Sequence, residues 1–231
     1  MIKISVIIPA YNEAATIGQL LESVNRQKID DVEFEVVVID DGSTDGTAEI
    51  LERNPQLYSK LIRQAANLGK GGAVKAGLGV ATGDYVLFQD ADLEYDPNDY
   101  AALLKPVLKF GADIVLGSRV VAPEFTRVHY FWHKVGNWLI TLAFNLFNNT
   151  TFTDIYSCYL MYRRDLLEPD LLVSNGWSQQ AEILSRIVPK AEVIYEVPIS
   201  YHGRSYAEGK KIRGSDAVSV VWMIFKRRLC R

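Results

Sequence analysis

Four acidic residues fall at alternate positions in the stretch Asp90-Ala91-Asp92-Leu93-Glu94-Tyr95-Asp96. Crowded carboxylates repel one another and hold each other's protons unless positive charge sits among them. A solvated turn would tolerate this, and so would a site for a divalent cation. Asp90 and Asp92, with Glu94 beside them, offer the hard oxygen donors that Mg²⁺ or Mn²⁺ takes. Such an ion neutralises a diphosphate and stabilises a leaving nucleoside diphosphate. Candidate anion-binding cations are Arg119, Arg127, Arg204, Lys210, Lys211 and Arg213, since arginine suits bidentate phosphate contacts. The run Asn67-Leu68-Gly69-Lys70-Gly71-Gly72 invites a phosphate-loop reading. It departs from the Walker pattern, because Gly71 stands where Ser or Thr should follow the lysine. Lys70 and nearby backbone N–H groups could still face a ligand, and a helix start eased by glycine explains the same residues.

The elements that must position these groups alternate through the first half. Apolar runs at Ile2–Ile8, Phe34–Ile39, Tyr58–Ile62, Tyr85–Gln89 and Asp113–Gly117 read as strands. Helical stretches at Ala14–Gln27, Thr44–Arg53, Lys70–Ala81 and Asn98–Lys109 separate them. Continuously apolar strands between helices imply a mostly parallel sheet covered on both faces. Ligands of such sheets lie at the carboxyl ends of the strands. The polar clusters fall at those ends: Pro9 to Glu13, Asp40-Asp41-Gly42-Ser43, Asp90-Ala91-Asp92 and Gly117-Ser118-Arg119. Their convergence on one rim points to an active site.

The second half differs. It holds an aromatic and aliphatic segment over 128–148, a helix over Trp177–Ile187, a strand over Val193–Ile199 and a basic loop over Tyr201–Arg213. An apolar helix over Asp216–Leu229 follows, with Lys226, Arg227 and Arg228 near its end. No internal repeat or low-complexity linker appears, so the 231 residues read as one compact domain with an appended surface.

With 48% hydrophobic residues, 23% charged residues and a net charge of −3, the chain gives no sign of nucleic-acid binding. Its two cysteines do not form a disulfide framework. The N-terminal apolar run meets Pro9 and Glu13 too soon for a signal peptide. No stretch reaches the roughly 20 apolar residues of a spanning helix. Basic residues beside the segments at 129–149 and 216–229 fit helices lying in a membrane surface, and a packed core explains them equally.

These residues resemble the family 2 glycosyltransferases of the GT-A fold, and more narrowly the dolichol-phosphate mannosyltransferase group and its bacterial polyprenyl-phosphate relatives. The resemblance runs through "VIIPAYNEAATI", "VVVIDDGSTDGT", "NLGKGGAVKAGL", "GDYVLFQDADLEYDP", "ADIVLGSR", "NWLITLAFNLF", "TFTDIYSCYLMYRRDLL", "QQAEIL" and "EVPISYHGRSYAEGKKI". It implies one GT-A domain over 1–231, an α/β fold with a mostly parallel sheet, in which 1–120 is the nucleotide-sugar and metal half and 121–231 the acceptor half with amphipathic apolar helices. It also implies a nucleotide-sugar site of Pro9, Tyr11, Glu13, Asp40, Asp41, Lys70, Asp90 and Ala91, with Asp90, Asp92 and Glu94 as metal ligands. Asp92, Arg119 and Arg204 would carry catalysis, and Ser118, Arg119, Arg127 and Lys211 would meet an acceptor phosphate. Where such relatives carry an acidic and a basic residue, this sequence has Tyr156 and Leu160, a departure that bears on the acceptor or sugar pocket. Relatives with added C-terminal membrane helices also differ from a sequence that ends at Arg231.

The expectation is a metal-dependent inverting glycosyltransferase. It would move a sugar from a GDP-mannose or UDP-glucose type of donor to a polyprenyl or dolichyl phosphate, as a peripheral protein at the cytoplasmic membrane face. A membrane-spanning partner subunit or a homo-oligomer is compatible with it. Alternatives are transfer to a glycan or other hydroxyl acceptor, a sugar nucleotidyltransferase, and a non-catalytic nucleotide-sugar binder.

Overall fold

The computed structural model describes residues 1–121, 127, 131–204 and 216–229. Its strands are β1 (Ile2–Ala10), β2 (Val32–Asp40), β3 (Lys60–Arg63), β4 (Tyr85–Phe88), β5 (Ile114–Ser118), β6 (Leu160–Arg163) and β7 (Ile194–Pro198). The helices are α1 (Ile17–Arg26), α2 (Thr47–Arg53), α3 (Lys70–Val80), α4 (Tyr100–Phe110), α5 (Phe131–Asn148), α6 (Gln179–Ile187) and α7 (Asp216–Leu229).

The strands form one sheet in the order β3-β2-β1-β4-β6-β5-β7. All neighbours run parallel except β6, which is antiparallel to both β4 and β5. The central strands are largely apolar because they are covered on both faces: Ile4, Val6, Ile7 and Ile8 of β1, and Val86 and Leu87 of β4, are fully buried. From β1 the chain winds outward through β2 and β3, then returns to place β4 on the other side of β1. Strand order reverses there, and a crevice opens between the carboxyl ends of β1 and β4. The register pairs Ile7 with Phe88, so Pro9 to Glu13 and Asp90 to Glu94 emerge side by side.

The expected strands and helices are present with ends shifted by a few residues. The helix expected from Ala14 begins at Ile17, and that expected from Thr44 begins at Thr47. Strand β6 is new. Its four residues lie in the slot between β4 and β5, pairing Tyr85 with Arg163 and Leu116 with Leu160. One sheet thus draws strands from both sides of residue 120.

Helices α5 and α7 pack together, with Phe147 and Phe225 edge-on at 5.6 Å. Both also leave apolar side chains outward: Trp132, Trp138 and Leu146 on α5, and Trp222 on α7, are each more than half exposed. Phe144 instead faces inward against Phe152. Among the described residues no helix is long and apolar enough to cross a membrane.

Candidate active site

Two strained corners build the crevice. Asn12, after β1, and Leu93, after β4, both take positive φ, 54° and 62°, which non-glycine residues adopt sparingly and which recurs at functional sites. Asn12 is held there as its Oδ1 accepts the Thr44 N–H (2.8 Å) while its own N–H donates to Ser43 Oγ (3.0 Å). Tyr11, Glu13, Asp92 and Glu94 flank these corners and line a cavity of about 310 Å³.

The segment at 201–204 is fastened to the acids. Tyr201 bridges Tyr95 in antiparallel fashion, and the His202 N–H donates to the Glu94 carbonyl (2.9 Å). Underneath, Gln89 Oε1 accepts from the Tyr100 and Tyr159 hydroxyls (2.9 and 2.8 Å), and the Tyr95 ring packs on those of Tyr159 and Tyr201. Arg204 is thereby aimed at three carboxylates. Its Nη2 lies 2.7 Å from Asp92, its N–H donates to Glu94 Oε1 (2.8 Å), and its Nη1 lies 3.7 Å from Glu13. Lys70, at the start of α3, pairs with Asp90 at 2.5 Å and lies 5.4 Å from the centre of the Trp177 ring.

Four carboxylates, Glu13, Asp90, Asp92 and Glu94, thus face two cations, Lys70 and Arg204, which leaves two negative charges. Asp92 registers the imbalance: burial first, then Asp90 and Glu94, push its carboxyl up to about 7 against the pull of Arg204. Among the described residues no three His, Cys, Asp or Glu side chains converge as a ready-made metal cage. The donor chemistry nevertheless fits a hard divalent cation, because Asp90 and Asp92 are oxygen ligands in a pocket short of two positive charges.

The remaining anticipated residues divide. Pro9, Tyr11, Asp41, Ala91 and Arg119 line the cavity with those above. The Asp41 carboxylate is engaged by the N–H groups of Leu68 and Gly69 (2.9 and 3.0 Å), so it shapes the loop before α3. Asp40 is buried away from the cavity and accepts the Ser43 N–H (3.0 Å). Ser118 is buried too, sharing a hydrogen bond with Thr153 (2.7 Å). Arg127 donates to the Gly203 carbonyl (2.9 Å), bracing the 201–204 segment from outside the cavity lining. Lys210, Lys211 and Arg213 lie outside the described residues.

Several contributors were not singled out in the sequence. Asp154, fully buried, grips Arg119 through Nε (2.7 Å) and Nη2 (2.8 Å), and Asn137 of α5 donates to it (2.8 Å). Burial alone would raise the Asp154 carboxyl, but the Arg119 guanidinium holds it below the usual carboxylate range. Arg119 also stacks over Tyr201, 5.0 Å from the ring centre. The lining also includes Tyr156, Cys158, Trp177, Gln179 and Gln180, all uncharged side chains, and the Cys158 thiol lies against Asp90. Burial pushes the Cys158 thiol well up. Leu160, at the other position of departure, is buried within β6 and only packs. Asp154 stood within a quoted motif, yet its partner lies 35 residues away, a separation no local pattern reveals.

A family model described as Glycosyl transferase family 2 matches residues 5–170. The low-salt glycan biosynthesis hexosyltransferase Agl6 of Haloferax volcanii is 31% identical over 205 residues, 87% of this chain and 48% of that protein. The dolichol-phosphate mannosyltransferase of Pyrococcus furiosus is 30% identical over 211 residues, 90% of this chain and 59% of that protein. The chain therefore spans about half the length of one of these curated relatives and three fifths of the other. Glucosyl-3-phosphoglycerate synthase of Mycobacterium tuberculosis, solved with Mn²⁺, UDP and phosphoglyceric acid, superposes with a TM-score of 0.72 at 21% identity, covering 98% of this chain and 78% of that one. That likeness establishes the shared fold.

Proposed function

The chain belongs to glycosyl transferase family 2, and from that premise we propose that it transfers a hexose of the mannose or glucose type from a nucleoside diphosphate-sugar to a lipid phosphate at a membrane surface. The observation that carries this reading is the cavity at the β1/β4 crevice, where Glu13, Asp90, Asp92 and Glu94 meet Lys70 and Arg204 and uncharged side chains complete much of the lining.

Asp90 and Asp92 would hold Mg²⁺ or Mn²⁺, in keeping with a mycobacterial synthase of the same fold solved in complex with Mn²⁺ and UDP. The ion, when bound, supplies charge neutralisation for the departing diphosphate. Arg204 and Lys70, paired with Asp92 and Asp90, would supply positive charge to the donor phosphates when those carboxylates hold the cation. Tyr11 and Glu13 border the nucleoside end, and Arg119, locked by Asp154, presents a fixed positive edge to the acceptor.

A phosphate oxygen of the acceptor attacks the anomeric carbon as the bond to the donor diphosphate breaks, inverting that centre. The uncharged lining residues bear on the nucleophile. Tyr156, Trp177, Gln179 and Gln180 supply no base at neutral pH, and the Cys158 thiol is raised further from ionising. A phosphate monoester arrives already anionic and needs no base from these residues. The exposed apolar side chains of α5 and α7 would lie in the headgroup region of the cytoplasmic leaflet, keeping the lipid acceptor near the cavity. The Pyrococcus relative, whose name joins mannose transfer to dolichol phosphate, supports the same choice.

A hydroxyl acceptor is the second reading. There a carboxylate of the acidic cluster near Asp92 would have to take the hydroxyl proton. The experiment is to incubate the protein with Mn²⁺, UDP-glucose or GDP-mannose, and either a polyprenyl phosphate or phosphoglyceric acid, and to weigh the products. A glycosyl phospholipid that disappears with chelator supports the first reading. A product with the soluble acceptor alone supports the second.

A further inference from the structure

Glu182 of α6 is fully buried and outside the cavity lining, yet its carboxylate gathers groups from three parts of the chain. It accepts the backbone N–H groups of Val173 (3.2 Å) and Ser174 (2.9 Å). Within α6 it pairs with Arg186 (3.1 Å), and from α7 it receives Nη2 of Arg227. Burying this charge is costly unless partners compensate. What it gains over an apolar side chain is direction: two backbone donors of one loop are pinned to one point.

That loop leads into the cavity. The Asn175 carbonyl accepts the N–H of Gly71 (2.8 Å) at the start of α3. A Cβ at Gly71 would collide with the Ser174 carbonyl oxygen, so loop and helix start touch backbone to backbone. Gly176 and Trp177 then line the cavity, and Trp177 carries Lys70 above its ring. Lys70 in turn holds Asp90. A continuous chain of contacts therefore runs from α7 through Arg227, Glu182, residues 173–177 and Lys70 to the acids.

We infer that Glu182 is a positioning residue for the donor phosphates, acting through residues 173–177 on Lys70, and that Arg227 makes this placement depend on α7 lying against α6. The inference rests on the donor reading proposed above. Because α7 also carries the exposed Trp222, whatever engages its outer face bears on nucleotide affinity through Arg227. By reciprocity, bound nucleotide favours the docked helix.

The test is titration calorimetry with UDP and with GDP, each in the presence of Mn²⁺, on the full chain. Arg227→Met keeps the aliphatic volume and removes the charge, whereas Glu182→Gln would strand two arginines and unfolds more readily. Positioning predicts that Arg227→Met weakens nucleotide binding about tenfold at a temperature where circular dichroism stays native, and that Arg227→Lys restores most of it. It also predicts that Arg227→Met adds little in a Trp177→Ala background, since both act through one loop. A lowered melting temperature with affinity unchanged within about twofold would reduce Arg227 to a stability contact and overturn the inference. Fully additive losses would also overturn it. A wild-type chain that binds neither nucleotide overturns the donor reading itself, and the positioning role with it.

Discussion

Replacing Asp154 by asparagine tests how the site holds its arginine. The carboxylate is fully buried and takes Arg119 in a two-pronged grip at 2.7 and 2.8 Å, with the Arg119 N–H at 3.2 Å and Asn137 at 2.8 Å. Asparagine keeps the shape but turns one acceptor into a donor facing donors, and leaves the guanidinium charge uncompensated. Removing one partner of a buried pair costs about 3–5 kcal/mol. With an m-value of about 2 kcal/mol per molar urea, the unfolding midpoint should fall by about 2 M. Arg119→Met should cost a similar amount, and the double variant should cost clearly less than the sum, because the second change removes a group the first had stranded. Urea unfolding followed by circular dichroism reads all three. A midpoint shift below about 0.5 M for Asp154→Asn, or strict additivity, would show that Arg119 is satisfied without Asp154. The fixed positive edge ascribed to Arg119 would then have no support.

Glu35 sets an acid limit. Burial would raise its carboxyl, but hydrogen bonds from Ser5, Thr82 and Lys60 bring it down to about 2 from an ordinary 4.5. A lowered folded-state value means that its stabilisation is present above pH 4.5 and fades as pH falls toward 2, by at most about 3 kcal/mol. The urea-midpoint gap between the wild type and Glu35→Gln should therefore close over that range, and a pH-independent gap would contradict it. Gly71→Ala drives a methyl into the Ser174 carbonyl, so it should cost about 1–3 kcal/mol and weaken nucleotide binding measured by calorimetry. Leu146→Ser and Trp222→Ser, on exposed faces, should reduce co-flotation with anionic vesicles while leaving the melting temperature nearly unchanged. Phe144→Ser, in the interior, should instead lower the melting temperature.

What could be read from the sequence followed from how each feature is encoded. Strands β4 and β5 and the inner stretches of β1 and β2 are buried on both faces and so appear as mainly apolar runs. The sheet class followed, and with it the expectation that polar clusters at strand ends share a rim. Strand β6 was not legible, since Leu-Met-Tyr-Arg is four residues whose strand character comes from its place between β4 and β5. Residue type alone could not separate Asp90 and Asp92, which face the cavity, from Asp40, which turns inward to Ser43. Ser118 was grouped with the rim cluster for the same reason. Asp154, Trp177 and Glu182 escaped notice because each acts on a partner distant in sequence: Arg119, Lys70 and Arg227 respectively.

The acids at the end of β4 are central, and direct observation of Mn²⁺ by electron paramagnetic resonance addresses them. Free Mn²⁺ gives a sharp six-line signal that fades on binding, so titration with UDP or GDP present reports occupancy without requiring turnover. The site described here predicts that the wild-type chain with nucleotide depletes the free signal and that Asp92→Asn, correctly folded, largely fails to do so. Equal depletion by both proteins, or none by either, would contradict the assignment of Asp92 to a cation and its diphosphate.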